Sequence, residues 1–188
     1  METYISVDIE TTGLIVGEDN IASIGACVVG NVKDKFYIEL KPFTDNYRQE
    51  SVDVCGFTIE SMKENGMDIV YSLNKFKEWI EKHQRPVFVG FPLCFDMAFV
   101  HQYFLKYLGR DPFGRTSAGL DMKTYAMAIL RCDLRDTVKK KLKETIKWEG
   151  KHSHNALDDA IEQANLMTEL FKIADVKVGD RRWTLNEN

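Results

Sequence analysis

The sequence predicts an α/β fold, a mixed sheet flanked by helices, and three observations carry that expectation. Residues 3–40 contain three runs of strand character, two of them joined by a tight turn. A short, wholly apolar run at 86–91 suits a strand covered on both faces. The remaining segments space their apolar residues at helical intervals. Antiparallel pairing should therefore come first and parallel pairing later.

Each element has its own justification. Residues 3–10 form the first strand, with Ile5, Val7 and Ile9 on one face. Residues 21–29 and 34–40 form the next two, joined through Gly30-Asn31, a pair suited to a hairpin turn. Residues 41–71 are irregular or form short helices, with turn signals at Lys41-Pro42, Asp45-Asn46 and Asn65-Gly66. The spacing of Leu73, Phe76, Trp79 and Ile80 predicts a helix over 72–83. After the strand at 86–91, Met97 to Leu108 is helical and Gly109 stops it. Leu120-Asp121-Met122 leads into a helix ending near Leu130. Val138, Leu142 and Ile146, four apart among lysines, predict an amphipathic helix over 137–148, and 155–173 form the last long helix. No internal repeat or linker interrupts the chain. Residues 1–175 are expected to form one domain, and 176–188 a loose C-terminal tail.

Composition narrows the function. The formal net charge of −4 provides no global basic field, which argues against a tight, non-catalytic nucleic-acid clamp. It does not argue against a nuclease, because acidic ligands lower the formal charge and bound cations restore positive charge where phosphate sits. Cys27, Cys55, Cys94 and Cys132 show no C-x-x-C spacing, so neither a zinc ribbon nor a disulfide framework is expected. No apolar run approaches the roughly 18 residues of a membrane span. The first strand begins almost at Met1, leaving no room for a leader, so a cytoplasmic location is expected.

The chemistry starts at Val7-Asp8-Ile9-Glu10-Thr11-Thr12-Gly13-Leu14. Side chains alternate along a strand, so Asp8 and Glu10 share one face while Val7 and Ile9 share the other. Two acids so placed repel unless something positive lies between them, and their oxygens suit hard cations such as Mg²⁺ or Mn²⁺. Asp96 falls where the apolar strand gives way to a helix, an expensive place for an acid unless it caps the helix or faces a cation. In His152-Ser-His154-Asn-Ala-Leu-Asp158-Asp159, a loop histidine precedes an aspartate on a helix's opening turn, offering a base and a ligand to one cleft. Asp158 and Asp159 lie about 100° apart around that helix, so at most one points well at a metal.

These stretches together resemble the DEDD (DnaQ-like) exonucleases of the RNase H-like fold, in the subgroup with histidine in the third motif. The resemblance spans roughly residues 3–173. Val-Asp-Ile-Glu-Thr-Thr-Gly-Leu matches the first motif, Phe95-Asp96 the second, and His154-Asn-Ala-Leu-Asp-Asp159-Ala the third. It implies a five-stranded mixed sheet, three antiparallel strands and then parallel ones. By position it also implies that Asp8, Glu10, Asp96 and Asp159 ligate two divalent cations, Mg²⁺ or Mn²⁺, with Asp8 bridging them. His154 would be the general base. Thr11 and Thr12 would lie beside the terminal nucleotide, and Leu14 would pack against the end bases.

The implied activity is metal-dependent 3′–5′ hydrolysis of DNA or RNA, releasing nucleoside 5′-monophosphates from a single-stranded 3′ end. An RNase H-like endonuclease and a retired nuclease domain serving as a binding subunit are the alternatives. Neither the sugar preference nor the oligomeric state, homo-oligomer included, follows from the motifs. One departure matters: many relatives carry a His-Asn pair shortly before Phe-Asp, where this chain has Phe91-Pro92-Leu93-Cys94, so substrate preference does not carry over. Lys139, Lys140, Lys141, Lys143, Lys147 and Lys151 form either the solvated face of a helix or a phosphate-guiding flank. Asp121 is expected to be structural, and His83 and His101 to be ordinary helix residues without acidic partners at ligand spacing.

Overall fold

Ile5, Val7 and Ile9 are fully or almost fully buried, while Asp8 and Glu10 turn to the opposite face of the same strand, β1 (Thr3–Thr11). The computed structural model describes residues 1–114, 118–150 and 153–174; the expected tail, Lys151 and His152 lie outside the described residues. β2 (Ile21–Val28) and β3 (Asn31–Glu39) continue from β1 as an antiparallel meander. β4 (Pro86–Gly90) and β5 (Gly119–Asp121) pair in parallel on the other side, giving the order β3-β2-β1-β4-β5. The five-stranded mixed sheet is thus the predicted one, with β1 at its centre.

Helices cover both faces. The short helices α1 (Gln49–Cys55) and α2 (Ile59–Asn65) precede α3 (Ile69–Ile80) and α4 (Leu93–Leu108), whose Leu73, Phe76, Phe99 and Phe104 pack under Ile5, Val7 and Ile9. The other core lies between the opposite sheet face and α5 (Met122–Leu130), α6 (Lys139–Ile146) and α7 (Ala156–Ile173), around Tyr4, Cys27, Val89, Met167 and Phe171. No described helix is long and apolar enough to cross a membrane. The four cysteines are free thiols.

Several boundaries differ from the sequence expectation, and three of them have a clear physical reason. α3 begins three residues earlier because the Asp68 side chain caps it, accepting the Tyr71 N–H at 2.9 Å. α4 begins at Leu93 rather than Met97, because the cap comes from a distant strand: Asp121 accepts the Leu93 N–H at 2.9 Å. The hairpin turn is Val29-Gly30 rather than Gly30-Asn31, with Gly30 at φ 84.

One glycine sets how closely α7 approaches the sheet. Gly25 stands opposite Asp8 in the β1–β2 register, and a Cβ there would lie 2.2 Å from the Ala156 carbonyl carbon at the start of α7. The fully buried Ala156, Ala160 and Ala164 form the matching small row along the helix. Gly25→Ala should therefore lower stability by about 1–3 kcal/mol and push α7 away from β1. Denaturant midpoints check this; a midpoint equal to that of the unmodified chain contradicts it.

Candidate active site

Asp8 and Glu10 project from β1 toward α7, where Asp159 lies in the first turn with no exposed surface. Carboxylate oxygens of Asp8, Glu10 and Asp159 all lie within 4.8 Å of one another. Asp96, also in a first turn, reaches the same strand from α4: its Oδ1 accepts the N–H of Ile9, the residue between the two β1 acids, at 3.2 Å. The four acids thus converge from three elements.

Asp159 organises more than the acid cluster. Its Oδ1 accepts the Ser153 N–H at 2.9 Å and its Oδ2 the His154 N–H at 3.0 Å. His154 is exposed and held at φ 56, a left-handed backbone that costs a non-glycine residue roughly 1 kcal/mol or more. The two carboxylate hydrogen bonds hold that turn in place beside the acids. Asn155 then caps α7, accepting from Leu157 and Asp158 N–H groups. Asp158 is exposed, while Asp159 is buried in the cluster, so the helical period places only one of the pair inward.

The acids disturb one another strongly. Burial raises the Asp8 carboxyl well above its ordinary range, and the charges of Asp96, Glu10 and Asp159 raise it further, against a pull from Lys139. Burial and the Asp159 charge push Glu10 up to about 7. Burial likewise brings Asp96 to about 7, despite the Ile9 N–H that favours its charged form. The chain alone does not compensate this charge, and an all-carboxylate donor set fits hard divalent cations.

That imbalance sets a pH dependence. Glu10 and Asp96 keep protons in the metal-free fold at pH values where the unfolded chain has released them. Their folded values lie above the unfolded ones, so these two groups cost the metal-free fold nothing below about pH 4 and destabilise it increasingly as pH rises toward about 7. Mg²⁺ should therefore raise the thermal midpoint strongly at pH 8 and little at pH 5. A midpoint indifferent to Mg²⁺ at pH 8 contradicts this account.

The implied substrate contacts divide. Thr11 and Leu14 line a cleft of about 320 Å³ beside Glu10, together with Arg48, Val54 and Phe95. Leu14 is 62% exposed, an apolar side chain held out toward that cleft. Thr12 is fully buried; its hydroxyl donates to the Asn46 carbonyl and accepts from Asn20, so it braces the loop after β1 instead of facing the cleft.

Several neighbours escaped the sequence. Gln163, one turn beyond Asp159, donates to Asp8 Oδ1 at 2.6 Å. Its position at i+4 from Asp159 was the available signal, but buried glutamines at that spacing are common in helices. The buried Glu162 pairs with Lys139 at 2.5 Å and Lys143 at 3.8 Å, so part of the lysine flank is absorbed in ion pairs. Asp121 caps α5 through Thr124 as well as tying down α4, a structural role as expected. His101 Nδ1 lies 2.6 Å from Asp111; His83, expected on a helix, falls past the end of α3 at Ile80, with its Nε2 3.8 Å from Asp34. Asp111 stands ten residues beyond His101, while Asp34 comes from β3.

Comparison with known proteins follows the same lines. A family model described as an exonuclease, RNase_T, matches residues 5–167. The chain is 36% identical over 184 residues to the 3′-5′ DNA exonuclease Cap18 of Escherichia coli, covering 96% of this chain and 97% of that one. It is 28% identical to a PolC-type DNA polymerase III of Ureaplasma parvum, of whose length it spans 11%. Among solved structures, the nuclease domain of 3′hExo, a DEDDh family member bound to rAMP, superposes with a TM-score of 0.73 at 12% identity, covering 96% of this chain and 97% of that domain. Exonuclease I of E. coli, in complex with a dT13 oligonucleotide, gives 0.70 at 18% identity over 92% of this chain; the chain spans 41% of its length.

Proposed function

Because this chain belongs to the RNase_T exonuclease family and is a metal-dependent 3′–5′ exonuclease of the DnaQ type, we propose that its substrate is the 3′ end of single-stranded DNA. Residues 1–175 serve as one exonuclease unit. Asp8, Glu10, Asp96 and Asp159 hold two divalent cations, Mg²⁺ or Mn²⁺, with His154 as the general base. The convergence of three carboxylates within 4.8 Å, with Asp96 bound to the same strand, carries this reading. DNA is favoured over RNA because the relative matched over nearly its whole length is named a DNA exonuclease.

The residues divide the work. Asp8, Glu10, Asp96 and Asp159 would together hold the pair of cations. When bound, the pair of cations activates water and stabilises the attacking and leaving oxygens of an in-line displacement at phosphorus. His154, exposed at the rim, accepts the proton from the attacking water, a task suited to imidazole near neutral pH. Thr11 and Leu14 border the terminal nucleotide in the cleft beside Glu10, and the water's oxygen ends on the released nucleoside 5′-monophosphate.

End-labelled single- and double-stranded DNA and RNA, with Mg²⁺ or Mn²⁺ and with a chelator control, test the proposal. The expected result is mononucleotide release from 3′-labelled single-stranded DNA, a shortening ladder from the 5′-labelled strand, and no activity with chelator. Faster turnover of RNA, release from the 5′ end, or cutting of circular DNA would overturn it.

A further inference from the structure

We infer that Gln163 is a positioning residue of the acid cluster, its amide N–H fixing the Asp8 carboxylate in the orientation that receives the cations. This rests on the proposed function, which assigns those cations to Asp8 and its neighbours.

Gln163 Nε2 donates to Asp8 Oδ1 at 2.6 Å, and the glutamine is 1% exposed. The contact is built into the way α7 lies on the sheet. Gly25, opposite Asp8, admits the start of the helix, and Ala156, Ala160 and Ala164 keep its buried face small. Farther along the same strand, the Cys27 thiol donates to the Ala160 carbonyl at 3.4 Å. Asp159 and Gln163 stand four apart on α7, so both fall on the face turned toward β1. One helix therefore carries an acid of the cluster and the donor that holds another.

The torsion that turns a carboxylate is soft, so an aspartate keeps one orientation only when its oxygens are held. Backbone N–H groups hold two of the acids: those of Ser153 and His154 bind Asp159, and that of Ile9 binds Asp96. Asp8 takes its donor from a side chain. A carboxylate accepts at about four lone-pair sites, so the bond to Oδ1 leaves the others for cations. Gln163 Oε1, in contrast, is buried and has no hydrogen-bond partner among the described residues. An unsatisfied buried acceptor is a cost to the fold that an apolar side chain would avoid. The amide's one bond goes to the acid, so orienting Asp8 explains a glutamine here and packing does not.

Mn²⁺ binding to the metal-free protein at pH 8, followed by electron paramagnetic resonance of the free ion, tests the inference together with the thermal midpoint. Gln163→Met keeps the length of the side chain and removes the donor. It should weaken Mn²⁺ binding about 10- to 100-fold, the usual effect of losing a hydrogen bond to a metal ligand. The metal-free midpoint should move by no more than roughly 4 °C. Gln163→Ala removes donor and packing together, and should lose the same affinity with a clearly lower midpoint. Unchanged binding in both variants, or a loss confined to Gln163→Ala, would make Gln163 a packing residue and overturn the inference. So would a Gln163→Met protein that loses affinity only by unfolding. An unmutated protein that binds no Mn²⁺ would overturn the proposed function and the inference with it.

Discussion

Asp8→Asn should lower the rate of DNA hydrolysis by roughly a thousandfold or more, since about 4 kcal/mol of transition-state stabilisation corresponds to that factor. Oxygens of Asp8, Glu10 and Asp159 lie within 4.8 Å of one another, and the charge of Asp96 also acts on Asp8. Asparagine keeps the shape and an oxygen able to accept from Gln163, which lies 2.6 Å from Asp8 in the fold. The fold should therefore survive. Removing one charge from a crowded set of acids should also leave the metal-free thermal midpoint at pH 8 equal to or above that of the unmutated chain. Turnover near the unmutated rate in a folded Asp8→Asn protein contradicts the assignment.

His154→Asn should lower kcat by roughly a hundredfold, within the range general bases contribute, while leaving cation binding intact. Asparagine is the informative substitution because it tolerates the left-handed backbone that His154 adopts at φ 56. Loss of rate then reports the imidazole and not the turn. Asp159→Asn should be worse in both respects. It weakens a cation ligand and one of the two carboxylate hydrogen bonds that fix the Ser153–His154 turn. Rapid-quench rates with Mg²⁺ titrations separate the two variants. An unaltered kcat in His154→Asn would remove the base from the account.

The sequence carried the parts of this site that obey local periodicity. Alternation along β1 sufficed to place Asp8 and Glu10 on one face and Ile5, Val7 and Ile9 on the other. The helical period allowed only one of Asp158 and Asp159 to face inward, and the buried one is Asp159. What stayed illegible depends on contacts between distant segments. The start of α4, and with it the presentation of Asp96, is set by Asp121, 28 residues beyond Leu93. Gly25 gives no local sign that α7 will lie directly on it at the level of Asp8. Thr12 occupies a motif position whose hydroxyl, in this chain, is consumed by Asn20 and Asn46. The lysine flank likewise divides only in three dimensions, with Lys139 paired with the buried Glu162 and Lys141 with Asp136 at 2.6 Å.

The most direct measurement is a crystal structure of the unmutated protein soaked in Mn²⁺, with the ions located by anomalous scattering. Two peaks about 4 Å apart, bridged by Asp8 and bordered by Glu10, Asp96 and Asp159, are the expected result. Manganese absent from that cluster, or bound only elsewhere on the surface, would contradict the account at its root.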